Sequence, residues 1–316
     1  MQNGDRMGTV LVTGGAGFIG CNIVRELIRR GNTPRVIDNF FSGKRENLAD
    51  VMDQIELVEG DITNADDLKH ACEGVEFVSH QGAIPSVPRS VADPAASTWA
   101  NVNGSLALFL AAREAGVKRI VCASSSSVYG KNPELPKHED MLPMPVSPYA
   151  ASKLAMEAYA RACSDVYGMT IVCLRYFNVF GPRQDPQSQY AAVIPKFVTT
   201  MAHGESPVIF GDGEQSRDFS YVDNVISANL LAMVTEQPVA GEAMNIACGE
   251  QATLNDLVRM LNEILGTRIE PVYEPTRAGD VKHSLASIEK ARELLGYAPQ
   301  VKFREGLEQA VEWYTR

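Results

Sequence analysis

The chain has 316 residues, of which 45% are hydrophobic and 22% are charged. This composition is typical of soluble globular enzymes and excludes disordered, collagen-like and small disulfide-rich chains. Asp and Glu outnumber Lys and Arg by 39 to 29, so the net charge is −10, and a broad basic surface for nucleic acid is not expected.

No apolar run approaches the roughly 20 residues that span a bilayer, and residues 1–6 lack the apolar core of a signal peptide. We therefore expect a cytoplasmic protein with no membrane partner. The six cysteines contain no CxxC pair and no zinc-finger spacing to histidine, so we expect reduced, mostly buried thiols and no metal site.

The first 180 residues alternate short apolar runs with helical patterns. The predicted strands cover residues 9–13, 35–38, 55–58, 75–78, 119–123 and 171–174. The predicted helices cover residues 17–30, 95–115 and 149–167. Strands that alternate with crossover helices indicate an α/β fold with a Rossmann-like, doubly wound parallel sheet.

Beyond residue 181 the pattern changes to a proline-punctuated loop, a short strand at 208–210 and helices at 254–265 and 288–295. We predict a first domain at 1–180, with an apolar helix at 222–234 inside a segment, 222–245, that packs back on it. Residues 181–221 and 246–316 are predicted to form a smaller C-terminal α/β lobe. A cleft between the two is where a small-molecule site is expected.

A glycine-rich loop, Gly14-Gly15-Ala16-Gly17-Phe18-Ile19-Gly20, lies between the first strand and the first helix. Such glycines let the backbone and the helix N-terminus approach a pyrophosphate. Asp38 ends the next strand, 18 residues after Gly20, where a carboxylate accepts hydrogen bonds from a ribose and repels a 2′-phosphate. The loop therefore predicts NAD rather than NADP, although Lys44 and Arg45 weaken that preference. Asp61 either reaches the adenine or caps a helix.

A serine run, Ser124–Ser127, follows the strand at 119–123, and Tyr149 precedes Lys153 by four residues. Tyr and Lys at this spacing share one helix face. A nearby ammonium lowers the pKa of a phenol from about 10 toward neutrality. We therefore expect Tyr149 to act as a general base toward an alcohol.

With these motifs in place, the chain resembles the extended short-chain dehydrogenases/reductases, and among them the UDP-sugar 4-epimerases. The resemblance covers essentially the whole chain. It also rests on three further motifs, which are Arg175-Tyr176-Phe177-Asn178-Val179-Phe180-Gly181-Pro182-Arg183-Gln184, Ser216-Arg217-Asp218-Phe219 and Arg277-Ala278-Gly279-Asp280.

The resemblance implies Tyr149 as catalytic base, Lys153 on the nicotinamide ribose, and Ser125 on the reacting hydroxyl with Ser126 as its possible stand-in. The residues that it implies for NAD are Gly14, Gly17, Phe18, Ile19, Asp38, Asn39, Ser42, Gly43, Asp61, Ile62, Gln81, Ala83, Ser124, Tyr149, Lys153 and Tyr176. Those that it implies for a UDP-sugar are Ser86, Arg89, Ser125, Tyr149, Asn178, Ala191, Val193, Lys196, Val208, Phe210, Arg217, Arg277, Asp280 and Ser284.

Within the substrate set, Asn178 and Arg217 are expected at the pyrophosphate, and Arg277 and Asp280 at the phosphate and uridine ribose. Val193, Lys196 and the strand at 208–210 are expected to frame the uracil. A protein of net charge −10 needs local arginines to admit a diphosphate, which guanidinium groups bind in a fork.

The related dehydratases carry Asp-Glu after the active-site Thr, where this chain has Ser126 and Ser127. Serine does not exchange protons near neutral pH, so we expect no dehydration. The simplest remaining reaction is epimerisation. Carbon 4 is oxidised, the keto-sugar rotates, and the hydride returns to the other face of the sugar. A UDP-glucuronate 4-epimerase stays the lesser alternative, because Asp185 follows Arg183-Gln184 where uronate-acting relatives place a cation. A non-catalytic NAD-binding scaffold is the remaining alternative.

The resemblance also bears on the sugar and on assembly. The strict glucose/galactose enzymes have a bulky Tyr five residues after the Gly of Arg-x-Gly-Asp, and Ser284 stands there. We therefore expect UDP-N-acetylglucosamine and UDP-N-acetylgalactosamine as substrates, with the plain hexoses also accepted, unless Ser284 only caps a helix. A homodimer is expected through the helices at 95–115 and 149–167. The apolar residues assigned to that contact are Leu106, Leu108, Phe109, Leu110, Ala158 and Cys163.

Overall fold

The structure, a computed structural model, describes residues 7–187, 192–276 and 282–316. Its described strands are β1 (Val10–Thr13), β2 (Arg35–Asp38), β3 (Glu56–Glu59), β4 (Phe77–His80), β5 (Arg119–Ser125), β6 (Ile171–Tyr176), β7 (Val179–Phe180), β8 (Val208–Phe210), β9 (Ser216–Arg217), β10 (Ser220–Tyr221), β11 (Ala243–Ile246), β12 (Ala252–Thr253) and β13 (Val272–Glu274). Seven of them form one central sheet in the order β11-β6-β5-β4-β1-β2-β3. Every pair in this sheet is parallel.

The described helices are α1 (Phe18–Arg29), α2 (Ala65–Cys72), α3 (Val87–Ala92), α4 (Pro94–Thr98), α5 (Gly104–Glu114), α6 (Pro148–Tyr167), α7 (Val193–Ala202), α8 (Val222–Val234), α9 (Leu254–Leu265), α10 (Glu289–Leu295) and α11 (Phe303–Tyr314). Helices cover both faces of the sheet, as a parallel sheet requires. Along β1, Val10 and Val12 belong to one hydrophobic core while Leu11 belongs to the other. Alternate side chains of one buried strand therefore serve two helical layers.

The Rossmann-like α/β fold predicted from the sequence is confirmed. The predicted bounds of β2, β8, α8 and α9 match the structure, whereas β4 begins two residues later than predicted. Strand β11 was not predicted, yet it completes the sheet beside β6. The helix predicted at 95–115 is not a single α-helix: a π-helical segment, Trp99–Asn103, separates α4 from α5.

Three two-stranded pairs, β7 with β10, β8 with β13 and β9 with β12, lie outside the central sheet. Helix α8 packs against β5, β6 and β11, while α7, α9 and α11 pack on one another. The domain division at residues 180, 221 and 245 stays a prediction. None of the described helices is long and apolar enough to cross a membrane.

Three of the six residues predicted for the dimer contact are buried, so that part of the prediction is wrong. Leu108, Phe109 and Cys163 are at most 4% exposed and pack into the core under the sheet, because they face inward from α5 and α6. Of the six residues, Leu110 and Ala158 are exposed and Leu106 is half-buried. The six cysteines are free and buried.

Candidate active site

A cavity of about 980 Å³ opens at the carboxyl ends of the central strands. Residues that follow β1, β2, β3 and β4 line it, together with the ends of β5 and β6. Ligands of open α/β sheets bind at this edge. The volume is at the upper end of ordinary ligand pockets, as a dinucleotide requires.

The glycine loop lines this cavity, and close backbone packing requires glycine at two of its positions. A Cβ on Gly20 would lie 2.2 Å from the Gly14 carbonyl oxygen, and one on Gly14, whose φ is +64°, would lie 2.7 Å from the Gly82 Cα. Gly17 precedes α1, whose N-terminus has no side-chain cap and no acidic residue in its first turn. The positive end of the α1 dipole therefore faces the cavity without a built-in anion.

Asp38 lines the cavity, and backbone N–H groups of the glycine loop and of the loop after β2 hold its carboxylate. Its carboxylate accepts hydrogen bonds from the Ala16 and Phe40 backbone N–H groups at 2.9 and 2.8 Å. Burial raises the pKa of Asp38, and those two hydrogen bonds oppose the rise. The fixed carboxylate is placed to receive ribose hydroxyl groups at the end of β2.

Asp61 also lines the cavity. It accepts a hydrogen bond from Asn39 at 2.7 Å and two from Thr63. Burial raises its pKa, but these hydrogen bonds outweigh burial and leave the pKa below its usual range. The helix-cap interpretation is wrong, because α2 is capped by Asn64.

The two cations that weakened the NAD preference are paired with carboxylates. Lys44 binds Asp185 at 2.8 Å, and Arg45 binds Glu59 at 2.5 Å. Both the Lys44 ammonium and the Arg45 guanidinium therefore already bind carboxylates, which weakens the case for a 2′-phosphate of NADP at this position.

The other residues predicted for NAD meet at the same cavity. Its lining includes Phe18, Ile19, Asn39, Ser42, Gly43, Ile62, Gln81, Ala83, Ser124, Tyr149, Lys153 and Tyr176. The uncapped helix end at Gly17, the close backbone approach at Gly14 and the Asp38 carboxylate fit the pyrophosphate and ribose of NAD.

The predicted catalytic residues come from two neighbouring elements. Tyr149 and Lys153 lie in the first two turns of α6, and the Ser125 side chain, at the end of β5, hydrogen-bonds the Tyr149 hydroxyl. The Lys153 Nζ donates to the Ala123 carbonyl at 2.8 Å and lies 5.9 Å from the centre of the Tyr149 ring. No such contact of Ser126 is seen in the described part of the chain, so Ser125 is the serine that meets Tyr149.

The pKa values differ from the expectation for Tyr149. Burial raises the pKa of Tyr149, and the Ser125 hydrogen bond only partly offsets this. Burial also lowers the pKa of Lys153 to about 8 and that of His80 to about 3. The expected lowering by Lys153 is therefore not seen, because burial and the Ser125 contact set the pKa of Tyr149.

Two buried serines orient the catalytic helix. Ser90 Oγ accepts a hydrogen bond from the Tyr149 backbone N–H at 3.0 Å, and Ser90 is fully buried. Ser152, between the two catalytic residues, contacts the Asn101 amide at 3.1 Å and the Tyr149 carbonyl at 2.8 Å. The sequence analysis missed Ser90, because its role depends on α3 packing against α6.

The residues predicted for the substrate are more dispersed. Arg89 lines the cavity with its guanidinium 5.6 Å from the Phe41 ring centre, beside the loop after β2. Ser86 caps α3, and the Asn178 amide donates to the Asp218 carbonyl. Within the described ranges, the cavity lining does not include Ser86, Ser125, Asn178, Val193, Lys196, Val208, Phe210, Arg217 or Ser284.

Arg217 and Ser284 are nevertheless neighbours. The Ser284 N–H donates to the Ser216 carbonyl at 3.0 Å, and the Arg217 guanidinium donates to the Lys282 carbonyl at 3.1 Å. Ser284 lies in an extended segment that pairs with β9, and α10 begins only at Glu289. The helix-cap interpretation of Ser284 is therefore wrong.

The Asp218 carboxylate joins the segment after β11 to the segment that carries Ser284. Its carboxylate accepts hydrogen bonds from the backbone N–H groups of Cys248, Gly249 and Ala286, and burial raises its pKa to about 7. Three other substrate predictions, Ala191, Arg277 and Asp280, lie outside the described residues.

Several cavity residues were not predicted from the sequence. Among them are Phe41, Thr63, Trp99, Arg183, Asp185, Trp313 and Tyr314. Trp99 and Trp313 are the chain's only two tryptophans, and their rarity is the one signal that pointed to them. The Tyr314 hydroxyl reaches the Gly181 and Gln184 carbonyls at 3.0 and 2.7 Å, so the last helix supports the loop that carries Asp185.

The chain is similar to known proteins over nearly its whole length. The chain is 38% identical over 308 residues to the UDP-glucose 4-epimerase of Mycolicibacterium smegmatis, with 96% of this chain and 97% of that protein covered. The structure of a UDP-N-acetylglucosamine 4-epimerase from Methanobrevibacter ruminantium M1, in complex with UDP-N-acetylmuramic acid, matches with a TM-score of 0.93. The identity is 42%, and 98% of each chain is covered.

The structure of the UDP-glucuronic acid 4-epimerase from Bacillus cereus, in complex with UDP-glucuronic acid and NAD, matches with a TM-score of 0.89 and 32% identity. It covers 97% of this chain and 98% of that one. The model of the NAD dependent epimerase/dehydratase family matches residues 10–247. Together with the glycine loop and the Ser125–Tyr149–Lys153 arrangement, this match shows that the chain belongs to the NAD dependent epimerase/dehydratase family.

Proposed function

We propose that this protein is a UDP-sugar 4-epimerase that uses NAD as its resident cofactor. The observation that carries the proposal is that Tyr149 and Lys153, four residues apart on α6, line the same cavity as the glycine loop, with Ser125 beside Tyr149. Relatives named as 4-epimerases of UDP-glucose, UDP-N-acetylglucosamine and UDP-glucuronate share this fold over nearly their whole length.

In this reaction Tyr149 takes the proton of the 4-hydroxyl group, and Ser125 orients that hydroxyl. The glycine loop and Asp38 would hold NAD, which would supply the acceptor for the carbon 4 hydride and the donor for its return. The buried Lys153 supplies positive charge beside the phenol. Ser126 and Ser127 provide no carboxylate for removing water, so the keto-sugar turns and is reduced on its other face. The cycle is redox-neutral, and no external oxidant is consumed.

We propose that N-acetylated UDP-hexoses are substrates and that the plain hexoses are also accepted. The size of the side chain at position 284 supports this choice: Ser284 lies beside Arg217, outside the described cavity lining, and a serine takes less room there than the phenol ring of the strict glucose/galactose enzymes. A missing apolar contact costs only about 1–3 kcal/mol, so a roomy pocket still accepts a smaller sugar.

The UDP-glucuronate alternative is supported by relatives of 33% and 32% identity. Two charges of this chain argue against it. Asp185 puts an anion in the cavity wall, and Arg89 is directed at Phe41 in the loop after β2. A sugar carboxylate would meet repulsion from Asp185, which is partly neutralised by Lys44.

We also propose a homodimer in which α4–α5 and α6 of each subunit form a four-helix contact. The exposed apolar side chains on these helices support it, among them Leu110 and Tyr159, which are 38% and 41% exposed. Apolar patches of this kind mark interaction surfaces.

The deciding experiment incubates the purified protein, without added NAD, with UDP-glucose, UDP-N-acetylglucosamine and UDP-glucuronate in separate reactions, and separates the epimers. We expect conversion of the first two and none of the third. Turnover of UDP-glucuronate alone would replace the substrate assignment, and undiminished turnover by fully NAD-depleted protein would overturn the mechanism. A scaffold protein would give no product in any reaction.

A further inference from the structure

Consecutive residues at the end of β5 are each held by α6. The Lys153 ammonium binds the carbonyl of Ala123 at 2.8 Å, and Tyr149 meets the Ser125 side chain. The residue between them, Ser124, donates its hydroxyl to the carboxylate of Glu157. The strand end is thus fixed at three successive residues by one helix.

The three α6 residues, Tyr149, Lys153 and Glu157, are spaced four apart and lie on one face of the helix. We call them the α6 stripe. The proposed mechanism uses the first two members and leaves the third without a role. Glu157 is only 8% exposed, and an ionised carboxylate is costly to bury unless it is paired.

The partner of Glu157 comes from the neighbouring strand. Arg175 on β6 binds both carboxylate oxygens, with Nε 3.0 Å from Oε1 and Nη2 2.7 Å from Oε2. Arg175 is also the register partner of Ser124 in the sheet. Glu157 therefore bridges two adjacent strands at the point where both reach the cavity.

The network continues away from the cavity and is closed by further hydrogen bonds. Arg175 Nη1 donates to the Tyr129 hydroxyl at 2.9 Å, and that hydroxyl donates to the Asn245 amide oxygen at 2.7 Å. A buried ion pair contributes little net stability compared with apolar side chains of the same volume. A fully hydrogen-bonded pair does fix geometry, because removing either partner leaves a buried charge alone.

We propose that Glu157 is a positioning residue of the active site: by binding Ser124 and Arg175 it sets the register of α6 against β5 that brings Tyr149 to Ser125. The proposal rests on the proposed function for its catalytic consequence, but the contact that it explains exists without turnover.

A positioning role and a purely electrostatic role of Glu157 predict opposite shifts of the Tyr149 pKa in the Glu157→Gln variant. If Glu157 acts only by its charge, removing an anion two turns away lowers the pKa of Tyr149. In the intact protein the Ser125 hydrogen bond lowers the pKa of Tyr149. If Glu157 holds the register, the variant weakens that hydrogen bond, and the pKa of Tyr149 rises.

The charged and titratable groups around Glu157 are Lys153 on α6, Cys122 on β5, Arg175 and Cys173 on β6, and Tyr129 and Glu139 beyond them.

The experiment compares Glu157→Gln, Ser124→Ala and the double variant, all as the NAD-containing protein. Ser124→Ala removes the hydrogen bond without changing charge. Ser164→Ala is the matched control, because Ser164 is a buried serine in the last turn of the same helix, and among the described residues its hydroxyl bonds only the Ala160 carbonyl. Tyrosinate absorbance across pH, corrected with Tyr149→Phe, reports Tyr149 ionisation, and melting temperature and NAD content report folding.

We expect both single variants to raise the pKa of Tyr149 and to move the acid limb of kcat to higher pH. We expect kcat to fall about 10- to 100-fold, as a displaced catalytic group causes, with KM changed less than about twofold, and the double variant to lose no more than either single one. An unchanged or lowered Tyr149 pKa in both folded single variants, or additive losses, would overturn the proposal. Inactive wild-type protein would instead refute the function, and the Tyr149 titration would still decide the role of Glu157.

Discussion

Lys44 and Asp185 meet across the mouth of the cavity, with 2.8 Å between the ammonium nitrogen and a carboxylate oxygen. Lys44 belongs to the loop after β2 and Asp185 to the loop after β7, and both line the cavity. An ion pair that joins two walls of a cofactor site slows departure of the cofactor.

We therefore expect Asp185→Asn to release NAD about two- to fivefold faster, since a partly exposed ion pair is worth about 0.2–1 kcal/mol. Trp99 and Trp313 line the same cavity, so tryptophan fluorescence measures the release. The matched control is Glu76→Gln, which breaks the exposed pair with Lys118 just before β4 and β5, at the opposite edge of the sheet. Equal rates in the two variants would contradict the prediction.

Tyr149→Phe should abolish turnover, because the general base is removed. We expect kcat to fall by about 10²–10⁴, while the variant still folds and keeps NAD. Chromatographic separation of the two epimers measures turnover, and absorbance after denaturation measures NAD. Near-normal turnover by a folded, NAD-loaded variant would remove Tyr149 from the mechanism.

Ser284→Tyr should remove activity on N-acetylated sugars and spare the plain hexoses, since a phenol ring takes the space of the N-acetyl group. Ser284→Ala is the control, because it keeps the side chain small and should leave both activities unchanged. The ratio of kcat/KM for UDP-N-acetylglucosamine and UDP-glucose is the measurement. A parallel loss on both sugars, or no loss on either, would contradict the steric explanation.

Lys153→Met should stabilise the NAD-depleted protein at pH 7 while abolishing activity. Burial lowers the pKa of Lys153 to about 8 from a usual value of 10.5, so the unfolded chain binds more protons between those values. The wild-type protein thus gains stability as pH rises from about 8 to about 10.5. The advantage of the variant should shrink over that range, which urea unfolding at pH 7 and 10 measures. A difference that grows with pH would show the opposite sign.

Leu110→Glu should convert the proposed dimer to a monomer, because it places a charge in the helical contact. Val234→Glu is the control at a comparable exposed apolar position on α8, where Val234 is 55% exposed. Light scattering at micromolar concentration distinguishes the two states. A wild-type protein that is already monomeric would refute the dimer, and a dimeric Leu110→Glu variant would place the contact elsewhere.

The sequence by itself determined what depends on short spacing. The glycines from Gly14 to Gly20, the carboxylate at Asp38 and the Tyr149–Lys153 spacing each encode a local turn, strand end or helix face, so their shared edge of the sheet was predictable. The parallel, doubly wound character of the sheet was predictable because crossover helices between parallel strands leave few alternatives, whereas the strand order, with β11 beside β6, came from the structure.

Only the tertiary structure decided which distant residues meet. Ser125 rather than Ser126 faces Tyr149, Glu157 pairs with Arg175, and Asp185 reaches Lys44. These contacts depend on how α6 and the loops pack against the sheet. The raised pKa of Tyr149 was unpredictable for the same reason: the spacing of Lys153 in the sequence does not reveal burial of the phenol, and desolvation of the phenolate is the largest cause of the rise.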